Sequence, residues 1–377
     1  MRPCPQRALL LAALRPVGVP AGGSSLADFA AALDDVAQFV RLAEEHAVAP
    51  TVAHALAGRL PAAVFADLVD WARETQLTYA ARNAWMLRTL AEVAGILARA
   101  DVRMIALKGS DLILTTYPTP GCRHLDDLDL LVHPEDVYRA SDALLAAGIP
   151  LQRAGEQVPF VDGRSHADYV AAHAEDKIHP AVHETTDGLT IELHRTLPAD
   201  VDAGAAFDAR WAGRRLAVHA GQEIALLPLA ELWRHLAAHA FVQHRSDWRT
   251  LARHRADAGM LAARNPGLML DRPDNDDARL SVAATRALLS LCDTTDPTLA
   301  PTAAQLLFPG PRLRKSWDQV LHATLLAGRV LHDAQHQPDV LWRKLLPSDD
   351  YLRHYYGDDE LARGRTRLLL KRLVSVP

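Results

Sequence analysis

The chain has 377 residues, enough for a large buried core and for two or three domains. Its hydrophobic content of 49% and charged content of 23% are ordinary for a soluble protein. The net charge of −5 and an isoelectric point near 6.4 argue against broad electrostatic binding of nucleic acid, although both values are compatible with a local basic groove. Three scattered cysteines indicate free thiols in a reducing compartment. Because no apolar run is long enough to cross a bilayer, the sequence predicts a cytoplasmic protein.

The first hundred residues follow a helical pattern. The apolar stretch 8–14 follows two arginines as a signal peptide does, but Arg15 ends it after seven residues, which favours a buried first helix. From 26 to 100 the chain is alanine-rich and its apolar residues recur at helical spacing. Two buried helix faces are predicted, one with Leu33, Val36, Val40 and Ala43 and the other with Leu87, Leu90, Ala94 and Leu97.

An apolar strand and a glycine turn come next. Residues 102–107 form a nearly continuous apolar run, typical of a strand buried on both faces, which ends at Lys108, Gly109 and Ser110. Glycine lets another group approach the backbone closely, and a helix beginning at Ser110 would direct free N–H groups at a phosphate. The pattern therefore predicts a phosphate site at the end of this strand.

Two aspartates share one face of the following strand. In 127–132 the side chains alternate, so Asp127 and Asp129 point the same way, about 7 Å apart. Like charges in a partly dry site are costly unless a cation lies between them. An isolated acidic pair is most often solvated surface, but this one lies among apolar strand residues downstream of the glycine turn. We therefore predict two Mg²⁺ ions, with Mn²⁺ as a substitute, because hard oxygen ligands suit these metals.

Helix and hairpin signals follow. Residues 133–148 carry a proline in the first turn and a glycine at the end, which predicts a helix between two strands. Asp187-Gly188 lies between two strand-like segments and predicts a hairpin. In the second strand of that hairpin, Glu192 and His194 point to one face. A carboxylate and an imidazole are thus predicted side by side.

The remaining histidines favour structural roles. A group of four between 173 and 194 matches no compact zinc motif, and no cysteine lies among them. The four are His173, His179, His183 and His194, of which His194 is the exception to a structural role because it shares a strand face with Glu192. After Gly221 the chain is predicted to return to helices, where His235 and His239 lie one turn apart and more often pack than line a cleft.

At this point the sequence resembles a known superfamily. The segment ALKGSDLILTTYPTPGCRHLDDLDLLVHPEDVYRASDALLAAGI and the later IELH are similar to DNA polymerase beta-like nucleotidyltransferases. In that superfamily Gly-Ser precedes an acidic-apolar-acidic strand, and a third carboxylate lies on a later strand. More narrowly, the chain resembles a bacterial family of uncharacterised nucleotidyltransferases over most of 80–245, most strongly over 105–148.

The resemblance implies roles for the residues that carry it. Asp127, Asp129 and Glu192 would hold the two Mg²⁺ ions, and Gly109 and Ser110 would bind the β and γ phosphates of an NTP such as ATP. Catalysis would depend on both aspartates and on Glu192. Either Glu192 or a metal acting through water would help deprotonate the acceptor.

Three further side chains have open roles. His194 is the weaker catalytic partner, which would orient Glu192 or the acceptor. Lys108 and Arg123 would neutralise triphosphate charge or act as structural or solvated residues.

The implied function is transfer of NMP from NTP to an unidentified small-molecule or peptide acceptor, with release of pyrophosphate. Nucleic acid is disfavoured as a partner, and no membrane partner is expected. A catalytically reduced nucleotide-binding partner protein and a metal-dependent phosphohydrolase stay open as alternatives. The expected fold class is α/β (α+β), with a small mixed-sheet nucleotidyltransferase core at 99–220 flanked by helical regions at 1–98 and 221–377.

Overall fold

A computed structural model describes most of the chain. It covers residues 4–15, 25–151, 181–197, 200, 202–243, 248–273, 276–293, 300–308 and 362–365. The helices are α1 (Pro5–Ala13), α2 (Leu26–Ala31), α3 (Val36–Glu45), α4 (Ala49–Arg59), α5 (Ala66–Arg99), α6 (Lys108–Thr115), α7 (Val137–Ala146), α8 (Ala203–Ala212), α9 (Leu229–Ala238), α10 (Trp248–Arg264), α11 (Asp276–Cys292) and α12 (Ala300–Leu307). The strands are β1 (Met104–Ala106), β2 (Asp127–Val132), β3 (Ala181–Glu184), β4 (Thr190–His194), β5 (Arg215–His219) and β6 (Gln222–Leu226). Short 3-10 turns span Pro120–Cys122, Pro134–Asp136 and Pro266–Leu270, and a π-helical turn, His239–Gln243, follows α9.

The described strands form one six-stranded mixed sheet with helices on both sides, which confirms the expected α+β class. The strand order is β3-β4-β2-β1-β6-β5. β2 pairs parallel with β4 and antiparallel with β1, while β1 pairs parallel with β6. The predicted hairpin is confirmed, since β3 and β4 are antiparallel and Gly188 between them has φ +81°. The crossover from β2 to β4 carries α7, as the helix signals predicted.

The N-terminal helices form a core of their own. α1 is buried along Leu9, Leu10 and Leu11, as the sequence predicted. The first predicted helix face is wrong in part, because Leu33 lies outside any helix and Val36 is exposed. Asp35 caps a new helix by accepting a hydrogen bond from the backbone N–H of Gln38, and this break shifts the helical phase. The buried face of α3 is instead formed by Phe39, Leu42 and Ala43.

Helix α5 connects this core to the sheet. It runs for 34 residues, and its first part, with Leu68 and Val69, packs among the N-terminal helices. Its second part packs on the sheet, where Leu87, Leu90, Ala94 and Leu97 are all buried, so the second predicted helix face is confirmed. The expected boundary at 98 therefore lies at the end of a helix that belongs to both regions.

Alternation along the strands divides the rest of the core. Leu128, Leu130 and Val132 of β2 pack with α5 and α7 on one face of the sheet. Leu131 packs on the other face with residues of α9, α10 and α11. Because Asp127 and Asp129 have the same parity as Leu131, the acidic face of β2 is the face that the C-terminal helices cover.

One strand pair was missed. The chain was predicted to return to helices after Gly221, but β5 and β6 form an antiparallel hairpin there, and β6 lies beside β1. Ala220 and Gly221 at its turn have φ +49° and +78°, the pair of positive angles that a two-residue type I′ turn requires. The sheet thus reaches Leu226, beyond the expected core boundary at 220; the domain limits stay a prediction.

Of the four grouped histidines, two are described. His183 is buried and contacts Ser141 Oγ at 2.7 Å and the carbonyl of Ile149 at 3.0 Å, in keeping with a structural role. His173 and His179 lie outside the described residues. Within the part of the chain that is described, no helix has both the length and the apolar character needed to cross a bilayer.

We expect His254 to make stability depend on pH. Burial lowers its pKa from 6.5 to about 4, and its Nε2 lies 3.0 Å from Thr285 Oγ1, whose hydroxyl donates to the carbonyl of Ser281. The unfolded chain therefore binds a proton that the folded chain refuses between pH 6.5 and about 4. The free energy of unfolding should fall across that window as pH falls, by up to about 3 kcal/mol from this residue.

The measurement is urea unfolding of wild type and His254→Gln at several pH values from 7 to 4. The variant keeps an amide donor for Thr285 but has no titrating group, so its stability should fall less steeply with acid. Parallel curves for the two proteins would contradict the assignment.

Candidate active site

A buried carboxylate lies at the centre of the site. Asp129 on β2 is 3% exposed, and its Oδ1 lies 2.7 Å from Lys108 Nζ and 2.7 Å from His194 Nε2. Burial alone would raise the pKa of Asp129, but Lys108 and His194 hold it well below its ordinary value. Burial lowers the pKa of His194, but its contacts with Asp129 and Glu192 raise it above the ordinary value. Asp129 is therefore ionised and paired with two nitrogen donors.

Two more carboxylates adjoin it. Asp129 and Glu192 are register partners on the adjacent parallel strands β2 and β4. Glu192 Oε2 lies 3.4 Å from His194 Nε2, and one ligand atom from each of Asp129, Glu192 and His194 falls within 4.8 Å of the others. Asp127 lies on the same face of β2 and lines the same cavity, without belonging to that tight group. Burial and then the charge of Asp129 raise the pKa of Asp127 to about 7.

The strand-to-helix turn brings Lys108 to Asp129. α6 begins at Lys108, two residues before the predicted start at Ser110. Lys108 has φ +46°, a left-handed conformation that a side chain with a Cβ rarely adopts. The backbone N–H of Leu107 donates to the carbonyl of Asp129 at 2.9 Å, which holds the turn against β2. The strained backbone is thus found where it places a cation beside the buried carboxylate.

Gly109 and Ser110 lie in the first turn of α6, whose leading N–H groups have no partner within the helix. A Cβ on Gly109 would come within 2.4 Å of both Arg123 Nη1 and Leu125 Cδ1. A glycine is needed here because these two side chains pack directly against the backbone. Ser110 is 1% exposed, and its Oγ has no hydrogen-bond partner among the described residues. Gly109 lines the cavity, whereas Ser110 is buried beneath it.

Arg123 is held by the C-terminal region. Its Nε and Nη2 donate to the two carboxylate oxygens of Asp257 on α10, both at 2.8 Å, and its Nη1 donates to the carbonyl of His124. Tyr117 Oη also donates to Asp257, at 2.8 Å. Burial would lower the pKa of Arg123, but the charge and hydrogen bonds of Asp257 raise it. The contacts therefore support the structural alternative for Arg123, although it borders the cavity.

The carboxylates open into a cleft between the sheet and the C-terminal helices. Its volume is about 220 Å³. The sheet side contributes Lys108, Gly109, Arg123, His124, Leu125, Asp126, Asp127, Asp129 and Glu192, and the helical side contributes Leu236, His239, Ala240, Thr250, Arg253, His254 and Asp257. Sequence reasoning missed Asp126, although it directly precedes Asp127. It also missed every residue of α10, because no local pattern marks a helix face more than a hundred residues away as part of the same cleft.

The two histidines of α9 and its π-helical extension differ. His235 is buried, both ring nitrogens lack hydrogen-bond partners among the described residues, and burial followed by the charge of Lys108 lowers its pKa well below the ordinary value. His239 lines the cleft, and the two rings lie 6.2 Å apart. The prediction that both histidines pack in the core therefore fits His235, whereas His239 lies at the cleft.

The donor set suits a divalent cation. Three carboxylates from two adjacent strands converge on one wall of the cleft. Burial first, and then repulsion by Asp129, raises the pKa of Asp127, and positive charge bound between the carboxylates would relieve that repulsion. Hard oxygen donors favour Mg²⁺ or Mn²⁺ over softer metals. His194 already contacts Asp129, so it orients a carboxylate as well as offering a nitrogen. Beside a helix N-terminus, such a site can bind metal and phosphate together.

Comparison with known proteins gives one match. Residues 33–288, more than half of the chain, match the model of a family described as uncharacterised nucleotidyltransferase. No curated protein and no solved structure matches the chain.

We expect Gly109→Ala to destabilise the protein. The added methyl group would overlap Arg123 and Leu125, and Arg123 cannot move without disturbing its buried pair with Asp257. Overpacking of this kind costs about 1–3 kcal/mol. The matched control is Gly58→Ala on α4, where nothing lies within 4 Å of the new Cβ and the helix should gain about 0.5–1 kcal/mol. Urea unfolding of both variants measures the difference; equal stabilities would contradict the packing argument.

Proposed function

The chain belongs to this family of uncharacterised nucleotidyltransferases, and from that membership and the geometry of the cleft we propose a metal-dependent transfer of NMP from an NTP, with release of pyrophosphate. The acceptor is a small molecule or a peptide, and the protein is cytoplasmic. We also propose that the chain belongs to the DNA polymerase beta-like nucleotidyltransferase superfamily. A net charge of −5 keeps nucleic acid the less favoured acceptor.

One observation carries the proposal. Asp129 and Glu192 are paired in register on adjacent parallel strands, with Asp127 on the same face. Carboxylates from positions 127, 129 and 192 thus form one oxygen-rich wall, and the first turn of α6 adjoins it. Carboxylates beside free backbone N–H groups are what a metal-bound triphosphate requires.

Asp127, Asp129 and Glu192 would hold the proposed Mg²⁺ ions, with Mn²⁺ as a substitute. Bound there, the ions would supply stabilisation of charge on the attacking and leaving oxygens. Lys108 and His194 both contact Oδ1 of Asp129, which leaves its Oδ2 as the oxygen that would bind a metal ion. Glu192 stays 27% exposed, which leaves its carboxylate accessible to an acceptor's proton.

The proposed nucleotide-binding residues act on the triphosphate of the NTP rather than on the acceptor. The backbone N–H groups of the first turn of α6, at Gly109 and Ser110, would bind phosphate oxygens through the side of the turn where Gly109 lines the cleft, and Lys108 would balance charge there. Arg123 contributes by fixing the cleft wall through Asp257.

Two alternatives share these residues. A phosphohydrolase would use water as the acceptor, and a catalytically reduced partner protein would bind nucleotide without turnover. The deciding experiment incubates the protein with labelled NTPs, Mg²⁺ and candidate acceptors. Pyrophosphate release with a labelled acceptor supports the proposal, orthophosphate release favours hydrolysis, and binding without either product favours the partner protein.

We expect Asp127→Asn to separate function from stability. The charge of Asp127 is disfavoured by burial and then by repulsion from Asp129, so the amide should leave the free energy of unfolding unchanged or higher while metal-dependent turnover falls roughly 10²-fold or more. Asp129→Asn should abolish turnover and also lower stability, because Lys108 and His194 lose a buried partner. Turnover assays beside urea unfolding test both. Full activity in both variants would refute the metal assignment.

Glu192→Gln should stop turnover while Mg²⁺-NTP affinity changes little. The amide keeps the shape but removes the charge that orients the metal and accepts the acceptor's proton. His194→Ala should cost less, because Lys108 still pairs with Asp129. A titration of Mg²⁺-NTP binding beside a turnover assay separates the two effects, and wild-type turnover in Glu192→Gln would place the third ligand elsewhere.

A further inference from the structure

The cleft contains a cation whose present partner is weakly held. Among the described residues that line it, the lysine and arginine side chains are Lys108, Arg123 and Arg253. Lys108 is bound to buried Asp129, and Arg123 is bound through two hydrogen bonds to buried Asp257. Among the residues that the structure describes, the ion pair of Arg253 on α10 is with one oxygen of Asp126, at 3.3 Å, and that carboxylate side chain is 50% exposed. An ion pair of this kind is screened by water and is easily exchanged for another anion.

Asp126 has other partners. His124 Nε2 lies in close contact with its Oδ1, and Arg82 lies 3.8 Å from the same oxygen. His124 is itself placed by Tyr79, whose Oη lies 2.9 Å from its Nδ1. Asp126 therefore keeps an imidazole contact and an arginine neighbour when Arg253 leaves it.

The position of Arg253 is fixed by the buried arginine pair. Asp257 lies one helical turn after Arg253 on α10, so the two side chains share a face of that helix. Asp257 holds Arg123, and Arg123 packs directly against Gly109 at the N-terminus of α6. Both Arg253 and Gly109 line the cleft. The helix that carries Arg253 is thus attached to the turn that is proposed to bind phosphate.

We propose that Arg253 is a phosphate-binding residue, supplied by the C-terminal helices, that leaves Asp126 to bind the β and γ phosphates of the NTP. A guanidinium suits this role because its planar N–H groups match phosphate oxygens and its charge does not depend on pH. The assignment rests on the proposed function and makes the active site bipartite, with metal ligands from the sheet and a triphosphate ligand from α10. Arg82 serves as the comparison, since it contacts the same carboxylate but does not line the cleft.

The test measures binding without chemistry. Mg²⁺ complexes of an ATP analogue with a non-hydrolysable α,β linkage, of inorganic tripolyphosphate and of AMP are titrated into wild type, Arg253→Ala, Arg82→Ala and Asp126→Asn by calorimetry. Arg253→Ala should weaken binding of the analogue and of tripolyphosphate about tenfold or more, the loss typical of a charged hydrogen bond, and leave AMP unchanged. Arg82→Ala should lose much less triphosphate affinity than Arg253→Ala, because Arg82 does not line the cleft and His124 still contacts Asp126 in that variant. Asp126→Asn should bind the triphosphates as tightly as wild type or more tightly, because it removes the competing anion.

Each failure has a distinct meaning. If wild type binds the triphosphates and Arg253→Ala binds them equally well, the assignment of Arg253 is overturned while the proposed function stands. If Asp126→Asn loses as much affinity as Arg253→Ala, the ion pair is a structural element of the cleft and the assignment is again overturned. If wild type binds neither triphosphate, the proposed function itself fails. Thermal unfolding of each variant confirms that the compared proteins are folded.

Discussion

The buried carboxylate of Asp129 is the constraint on which the site depends. A nearly inaccessible charge in the middle of a sheet is tolerated only when it is paired and hydrogen-bonded. Lys108 reaches it from a left-handed backbone at the end of β1, and His194 reaches it from the neighbouring strand. The strand order, the strained turn and the register of β4 therefore all have one electrostatic consequence: an ionised oxygen beside the first turn of α6.

A second buried pair connects the sheet to the C-terminal helices. Arg123 lies in the segment between α6 and β2, and Asp257 lies on α10, so their hydrogen bonds join parts of the chain 134 residues apart. Removing either partner would leave an uncompensated buried charge, which typically costs 3–5 kcal/mol in proteins. Since Gly109 permits this arginine to pack against α6, the Arg123–Asp257 pair fixes the first turn of α6, the cleft wall and the C-terminal helices relative to one another.

The parts of the fold that were predictable are those encoded locally. Alternation placed Asp127 and Asp129 on one face, and Asp187-Gly188 specified the hairpin that carries Glu192. The hairpin of β5 and β6 had an equally local signal, two alternating segments around Ala220-Gly221, which the helical interpretation overlooked. Apolar spacing alone misassigned Leu33 and Val36, because the cap at Asp35 restarts the helix and periodicity does not register such a break.

The helical wall of the cleft was not predictable in this way, for a physical reason. Arg253 and Asp257 belong to a helix whose sequence is consistent with an ordinary solvated face, and only tertiary packing places that face over the acidic side of the sheet. The parity of Leu131 provides the link, since it shares a sheet face with both aspartates and packs with α9, α10 and α11. The C-terminal helices therefore cover the face of the sheet that carries the charges. Burying part of that face while leaving a cleft of about 220 Å³ over the carboxylates raises their electrostatic influence on any ligand that enters.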